Sequence, residues 1–280
     1  MKKFVCIALI TFISFISIPL FSSNEDLGFT VGMDYVSKNK RRGLPAFGSI
    51  EIDGEVFPVG RAVEFSLVDG AFFPFVSYDV MDTGISIKVK GEFAESYIID
   101  GNKTHKDASS VNFNFDYSNK FDLVTLEGGA WYFWHWDKNL SYSEIYMSLK
   151  FEDIFLTPTI TYIHDYYYYY YHWKDFYIQL GISHSFDLMP DITSLTLGAS
   201  SGYFNHKFRD IKGISNIDFS AELEVKAGAV TYTAGFHYLI VPLKEFYYSS
   251  SELDWSDAAN PKPVKDRNRF YAAFGAAYSF

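Results

Sequence analysis

Charged side chains recur at every second position in several stretches of this chain. Asp218, Glu222 and Glu224 alternate with apolar residues in one stretch, and Lys88 and Lys90 do so in another. Because a residue and its second neighbour lie on the same face of a β-strand, these charges are predicted to share one side of a sheet. Like charges that line a passage select ions by sign, so carboxylates placed in this way would favour cations.

Twelve residues are predicted to lie on this charged face and to line a lumen. They are Asp34, Lys88, Lys90, Glu92, Asp116, Glu127, Glu144, Lys150, Asp218, Glu222, Glu224 and His237. The excess of acids over lysines predicts a modest preference for cations in an open pore. Alternatively, these groups pair across neighbouring strands and fill a narrow lumen, as Lys88 and Lys90 could do with Asp116, because buried charges need partners. Glu222 and Glu224 are then expected to remain unpaired.

Patterns of catalytic or metal-binding residues are weak. A barrel hydrolase would place His and Ser two residues apart on one strand face, so that the imidazole activates the hydroxyl. None of the seven histidines is followed two places later by Ser or Thr. His164, Asp165 and His172 could approach one another, but their spacing matches no metal-binding pattern. We therefore expect no enzyme activity, no metal and no cofactor.

Aromatic residues are unusually frequent, with 22 Tyr and 28 Phe among 280 residues. Membrane barrels place aromatic rings in girdles at the two membrane interfaces, which accounts for such an excess. The candidates for these girdles are Trp131, Trp134, Tyr278 and Phe280. The tract Tyr166 to Tyr171 is expected to extend a girdle into a loop, or else to form a sugar-stacking or adhesive surface.

The amino-terminal segment has the pattern of a secretory signal. Lys2 and Lys3 precede an apolar stretch, and small residues follow at 22–23. Residues 1–23 are expected to be cleaved, which leaves 24–280 as a single barrel domain. The only cysteine, Cys6, lies in this segment, so no disulfide is expected. The net charge of −10 argues against nucleic acid as a partner.

Twelve alternating segments follow from residue 27 onward, with no helix among them. The last segment, 270–280, places Phe270, Phe274 and Phe280 on one face and small or polar residues on the other. Turns are predicted at 81–84, 118–120, 152–153 and 227–228, whereas the connections after odd-numbered segments are mostly longer and polar. This asymmetry is typical of outer-membrane barrels. We therefore predict an all-β, antiparallel, up-and-down transmembrane barrel of twelve strands with both termini in the periplasm.

Alternation by itself does not say which face points outward. A barrel of about eight strands is narrow enough for side chains to fill its interior, whereas a barrel of twelve strands with a polar interior encloses water. A soluble sandwich of two sheets is the alternative fold, although it explains neither the aromatic excess nor the asymmetry of the connections. The basic run Lys38, Lys40, Arg41 and Arg42 is predicted either to contact phosphates of the outer leaflet or to form a solvated loop.

Several stretches resemble the TorF-type porin family and related bacterial outer-membrane β-barrels. They are 31–37 with 42–44, then 143–149 with 157–162, and 176–186. The aromatic residues Tyr278 and Phe280 are similar to the carboxyl-terminal signature that the barrel-assembly machinery is thought to read. This resemblance implies a porin-like barrel without catalytic residues, in contact with outer-membrane lipid and lipopolysaccharide.

The expected function is therefore passive diffusion of small solutes through a narrow channel in the bacterial outer membrane. The alternative is a plugged structural barrel that interacts with partners through its outer loops.

Overall fold

The computed structural model describes residues 28–37, 71–94, 109–135, 141–168, 175–206, 211–242 and 269–280, together with short segments between them. These segments form four two-stranded ribbons, at 40–41 with 44–45, 50–52 with 55–57, 98–100 with 103–105, and 253–254 with 262–263. Among the described residues, no helix has the length and apolar character needed to cross a membrane.

Twelve longer strands form the body of the molecule. They are β1 (Phe29–Val36), β2 (Ala71–Val80), β3 (Ile85–Ala94), β4 (Ser109–Phe121), β5 (Val124–His135), β6 (Tyr142–Phe151), β7 (Thr159–Tyr168), β8 (Phe176–Met189), β9 (Thr193–His206), β10 (Ile211–Ala227), β11 (Val230–Ile240) and β12 (Arg269–Ser279). Each strand pairs antiparallel with its neighbours in sequence, and β1 pairs with β12 to close the sheet. The prediction of a closed, twelve-stranded antiparallel barrel is confirmed, and a sandwich of two sheets is excluded.

Five short connections of two to seven residues lie at one end of the barrel, which we call the turn end. The pairs Thr30 with Ser279 and Phe29 with Tyr78 show that β1 starts and β12 finishes at this same end. The opposite end, called the loop end, carries the connections 37–70, 95–108, 136–141, 169–175, 207–210 and 241–268.

Two turns differ from the sequence prediction. The predicted turn at 118–120 belongs to β4, and the chain reverses instead at Asp122, whose φ of 53° an Asp side chain tolerates. The connection after β6 runs to Pro158 rather than ending at 153, so β7 begins at Thr159. Pro158 has no N–H to donate to a β-ladder, which is consistent with the strand starting after it.

The two faces of the wall differ in chemistry. Met147 is 52% exposed on the outside, whereas its neighbour Ser148 is 3% exposed and points into the barrel. Phe219 and Phe113 are also exposed on the outer face, and Asn112 is buried on the inner face. Because the side chains of a strand alternate between its faces, the apolar set faces outward and the polar set faces inward.

Candidate functional site in the barrel lumen

The strand register places all twelve predicted lumen residues on the inner face of the wall. Asp34 lies opposite Gly275 and Phe73, and Glu144 lies opposite Trp131 and Asp165. The others occupy equivalent inward positions: Lys88, Lys90, Glu92, Asp116, Glu127, Lys150, Asp218, Glu222, Glu224 and His237. Their side chains differ widely in burial, since Glu144 is fully buried and Glu222 is exposed.

A cluster of apolar side chains also occupies the lumen, in its half nearer the loop end. This lumen cluster consists of Ile163, Tyr177, Phe204, Leu239 and Val241. Three further rings pack against it, those of Trp131, Tyr146 and Tyr271. These side chains come from β5 to β9 and from β11 and β12, and β5 stands halfway round the ring of strands from β11. The cluster therefore draws side chains from seven of the twelve strands and lines about half of the inner wall.

The position of Trp131 corrects the sequence prediction. It was predicted to belong to the aromatic girdle, but its indole Nε1–H donates a hydrogen bond to Asp116 Oδ1 at 2.8 Å inside the barrel. The stretch 131–134 is aromatic at every position, so alternation does not reveal which rings face lipid. Trp131 and Phe133 point inward, whereas Tyr132 and Trp134 point outward.

Polar contacts hold the lumen cluster in place. Asp116 accepts a second hydrogen bond from the Tyr146 hydroxyl at 2.9 Å. The buried Tyr177 hydroxyl donates to Asn216 Oδ1 at 3.1 Å, and Ser215 Oγ donates to the same oxygen at 2.9 Å. Buried polar groups without such partners would destabilise the fold, so these bonds allow hydroxyls and rings to share one packed interior.

An acid and a histidine meet at the edge of this cluster. Asp218 Oδ2 lies 2.9 Å from His237 Nδ1. The His237 ring stacks on Tyr271, with 4.4 Å between ring centroids and 3° between the planes. The hydrogen bond and the stacking fix the orientation of the imidazole.

The ionic partners of the lumen residues differ from the predicted ones. Lys90 Nζ lies 3.4 Å from Asp34 Oδ2 and 4.4 Å from the centroid of the Phe73 ring. Lys88 Nζ lies 5.0 Å over the Phe75 ring, so neither lysine pairs with Asp116, whose carboxylate accepts hydrogen bonds from the Trp131 indole and the Tyr146 hydroxyl. The alternative prediction was pairing across neighbouring strands, whereas the Lys90–Asp34 pair joins β3 to β1 across β2. These partners depend on side-chain positions that sequence spacing does not give.

The two acids expected to remain unpaired behave differently. Glu224 Oε1 lies 3.3 Å from Lys226 Nζ, so the expectation is wrong for Glu224. Glu222 is exposed to the lumen and makes no hydrogen bond or ion pair within the part of the chain that the structure describes. Glu222 is therefore a free negative charge in the half of the lumen nearer the turn end.

A cavity of about 230 Å³ lies between the lumen cluster and Glu222. Its walls come from β7, β8, β9 and β10, and it is lined by Thr159, Thr161, Gln179, Gly181, Ile182, Ser183, Gly198, Ala199, Ser200 and Ser220. Thr161 and Gln179 are the next inward residues after Ile163 and Tyr177 on the same strands, so the cavity lies directly below the cluster.

A group of charges surrounds the turns between β4 and β5 and between β6 and β7. Lys150 Nζ lies 3.0 Å from Glu152, and Lys120 Nζ lies 3.5 Å from Glu152 and 3.6 Å from Asp153. The hydrogen bond from the Lys150 ammonium and its positive charge hold the pKa of the Glu152 carboxyl below its usual range. Lys150, predicted to line the lumen, is therefore partnered at the turn end.

The remaining predicted sites are separated from this region. His164 stacks on Tyr162 on the outer face, whereas its neighbour Asp165 points inward, so the two cannot share a metal ion. Within the described ranges, no group of His, Cys, Asp and Glu could hold a metal. Tyr278 and Phe280 lie at the turn end, where their ring centroids are 4.7 Å apart, and Trp134 lies near the loop end.

Some predictions fall outside the described residues. These concern the signal segment 1–23, the side chains of the run Lys38, Lys40, Arg41 and Arg42, the imidazole of His172, and the side chains of the tract Tyr166 to Tyr171.

The lumen cluster was not predicted, although the sequence contains a signal for it. Adjacent apolar residues, at least one of them aromatic, recur along the strands, as in Phe176 with Tyr177, Tyr203 with Phe204, and Tyr238 with Leu239. Neighbours on a strand face opposite ways, so each such pair must send one side chain inward. In all three pairs the second residue is buried in the lumen.

Comparison with known proteins gives similar folds but no family. No family model matches the chain, and no curated protein matches its sequence. The solved structures with similar folds include LpxR from Salmonella typhimurium, at 7% identity over 90% of this chain and 100% of that one, with a TM-score of 0.47. OmpT, an outer membrane protein of Vibrio cholerae, matches at 10% identity over 90% and 96%, with a TM-score of 0.38. The outer membrane channel DcaP of Acinetobacter baumannii matches at 8% identity over 90% and 98%, with a TM-score of 0.33.

Proposed function

We propose that this chain is a bacterial outer-membrane β-barrel that works as a low-conductance channel for small solutes, with a modest preference for cations. The lumen cluster forms its constriction. The apolar outer face supports a membrane location, because only a closed barrel or a helix satisfies its backbone hydrogen bonds in lipid. In the orientation usual for such barrels, the turn end and both termini face the periplasm.

The unequal filling of the lumen carries this proposal. Near the loop end, inward side chains are close-packed, with Phe204 at 2%, Tyr177 at 3% and Ser215 at 0% exposure. Near the turn end, the cavity and the exposed Glu222 leave room for water. A wide pore would expose its lining along the whole barrel, whereas this arrangement allows at most narrow passage through the cluster.

The preference for cations rests on the acids near the turn end. Glu222 makes no ion pair among the described residues, whereas Lys90, Lys150, Lys120 and Lys226 each lie beside a carboxylate. Lys88 lies over the Phe75 ring without a carboxylate partner in the described part of the chain, so the preference rests on the excess of inward acids over inward lysines. An uncompensated carboxylate in a confined lumen attracts cations and repels anions.

The proposed contacts follow from the outer face. The exposed apolar belt would contact outer-membrane lipid and lipopolysaccharide. The barrel-assembly machinery would recognise β12 through Tyr278 and Phe280. No catalytic role is included in this proposal.

Single-channel recording in planar bilayers tests the constriction. The wild-type barrel is expected to show small conductance steps with a cation-selective reversal potential. Phe204→Ala removes a ring from the lumen cluster and should increase the conductance of each step severalfold. Tyr203→Ala is the matched control, because the neighbouring ring of Tyr203 lies on the outer face, where it is 37% exposed. Silence from both the wild type and Phe204→Ala would refute the channel.

A second function, that of a plugged structural barrel, is favoured by one observation. Glu92, Ser110, Asn112 and Glu144 are all buried inside the loop-end half, which is the pattern of a solid interior. In that case the barrel would act through its outer loops, and removing the Phe204 ring would lower stability without opening a path for ions.

A further inference from the structure

We propose that the cavity below the lumen cluster is a binding site for a small, uncharged, polyhydroxylated solute the size of a single sugar or sugar alcohol. This inference rests on the proposed function, since it names the class of solute that the channel would admit. The site is assigned from the chemistry of its lining, its volume and its position along the lumen.

The lining of the cavity combines polar side chains with glycine, alanine and isoleucine, and it carries no charge. Thr159, Thr161, Ser183, Ser200 and Ser220 contribute hydroxyls, and Gln179 contributes an amide. A hydroxyl group can donate and accept hydrogen bonds, and an amide side chain offers both functions at its two ends. A solute with several hydroxyl groups has the same dual capacity and can therefore satisfy such a lining from many directions.

Hydrogen bonds within the wall hold these groups in place before any solute arrives. Gln179 Nε2 donates to Ser200 Oγ at 2.9 Å across β8 and β9. Thr161 Oγ1 lies 3.0 Å from Ser148 Oγ across β7 and β6. Groups that are already oriented lose less conformational freedom on binding, which strengthens a site made of weak contacts.

Two glycines create the space for the solute. Gly181 and Gly198 are inward residues of β8 and β9, and both line the cavity. A Cβ added to Gly198 would lie 2.6 Å from Ser220 Oγ, so even a methyl group would intrude on the lining. The volume of about 230 Å³ corresponds to roughly eight water molecules at about 30 Å³ each, and it is below the ~300 Å³ at which drug-sized pockets begin.

The lining disfavours charged solutes. No Lys, Arg, Asp or Glu contributes to it, and the backbone N–H groups of the wall are committed to the β-ladders. The acid nearest along the register, Asp218, lies opposite Ser200 but does not line the cavity; its Oδ2 lies 2.9 Å from His237 Nδ1, and its Oδ1 is buried without a hydrogen-bond partner among the described residues. A simple cation or anion would find no opposite charge here, whereas Glu222 offers a cation a better position closer to the turn end.

Calorimetric titration of the purified barrel in detergent tests the site. The probes are D-glucose and D-glucitol, with tetramethylammonium chloride and sodium acetate as charged comparisons. Saturable binding is expected for the two polyols and none for the salts. Gln179→Leu should weaken polyol binding about fivefold, the effect of losing roughly one hydrogen bond. Gly198→Ala should weaken it by a similar factor because its methyl group takes up part of the cavity.

Gly235→Ala is the matched control for the glycine substitution. Gly235 is also an inward glycine, but it lies on β11 outside the cavity, and an added Cβ would meet His237 no closer than 3.4 Å. Retention of polyol affinity in this variant, together with loss in Gly198→Ala, supports the site. Absence of saturable polyol binding to the wild type, or equal affinities in all variants, overturns it.

Failure of this inference is distinguishable from failure of the proposed channel, because the titration does not require ion flow. Conducting barrels that bind no polyol would overturn the site and leave the channel standing. Polyol binding by barrels that never conduct would overturn the channel and show that the cavity is a closed pocket.

Discussion

At the level of single residues, the charged groups of the lumen differ in how well they are neutralised. Glu222 and Glu224 occupy successive inward positions on β10 and are chemically identical, yet only Glu224 has a lysine within 3.3 Å. Sequence alternation places both acids in the lumen. It does not show which of the two acids is paired, because Lys226 lies two residues further along the same face and its reach depends on its rotamer.

Neutralising these two acids should therefore have unequal effects. Glu222→Gln removes an uncompensated charge and should shift the reversal potential clearly toward that of a non-selective pore. Glu224→Gln also releases Lys226, so its effect on the reversal potential should differ in size from that of Glu222→Gln. The reversal potential of each variant is measured in planar bilayers under a salt gradient. An unchanged reversal potential in Glu222→Gln would show that this residue does not lie on the ion path.

The pKa of Glu152 provides a second test at this level. Because the pKa of the Glu152 carboxyl is lowered in the folded state, this group contributes favourably to folding stability above the ordinary carboxyl pKa. That contribution is lost as the pH falls through the lowered pKa. Lys150→Met removes the ammonium group 3.0 Å away and should raise the pKa of Glu152 toward its usual range. Carboxyl-carbon NMR titration in nanodiscs measures this change in the pKa of Glu152. The control is Lys226→Met, since Lys226 lies beside Glu224 instead of Glu152. A Glu152 pKa that stays low in Lys150→Met would show that Lys120 is the dominant partner.

At the level of strands and turns, the alternation of the sequence predicts strand number and facing well but predicts boundaries less well. Turns form where a residue accepts a positive φ, as Asp82, Asp122 and Asp191 do. Asp tolerates that conformation only somewhat better than other residues, so several neighbouring positions compete in the sequence. The predicted turn at 118–120 was displaced by the chain reversal at Asp122 for this reason.

Two turn glycines give a matched pair of substitutions. Gly84 and Gly228 both have positive φ, of 73° and 65°. A Cβ at Gly84 would overlap the carbonyl oxygen of Ser118 on the neighbouring strand, whereas a Cβ at Gly228 would have no atom within 4 Å. Gly228→Ala should cost about 1 kcal/mol of folding free energy for the left-handed backbone alone. Gly84→Ala should cost roughly 1–3 kcal/mol more because of the overlap.

Urea titration of the barrel in lipid vesicles measures both glycine variants. Equal destabilisation by the two substitutions would show that the β2–β3 turn moves away from β4 without a penalty. In that case the close approach at Gly84 would not contribute to the alignment of these strands.

At the level of the whole molecule, the closed barrel and its apolar exterior follow from the sequence, but the filling of its interior does not. Period-two alternation fixes which side chains share a face, and the strand number makes a fully apolar interior unfavourable. How closely the inward rings of different strands pack together depends on the cross-section of the barrel. No single strand encodes that shape, so the lumen cluster and the cavity below it emerge only when all strands are assembled.

The outward orientation of the apolar face predicts how a charge would be tolerated on each side of one strand. Phe219→Arg places a charge near the middle of β10 on the lipid side and should cost about 2–4 kcal/mol of folding free energy. Glu222→Arg introduces the same side chain on the lumen side and should cost less than about 1 kcal/mol. Folding into vesicles at graded urea concentrations compares the two variants, and similar costs would contradict the assignment of faces.

The seam between β1 and β12 constrains the timing of folding. Thr30 and Ser279 touch across it at a sequence separation of 249 residues, so the ring cannot shut until the final strand has been synthesised. Until then the edges of β1 and of the growing sheet present unpaired N–H and C=O groups, which promote aggregation. A chain that lacks β12 could therefore not close the ring, and it would keep two open sheet edges for pairing with other chains.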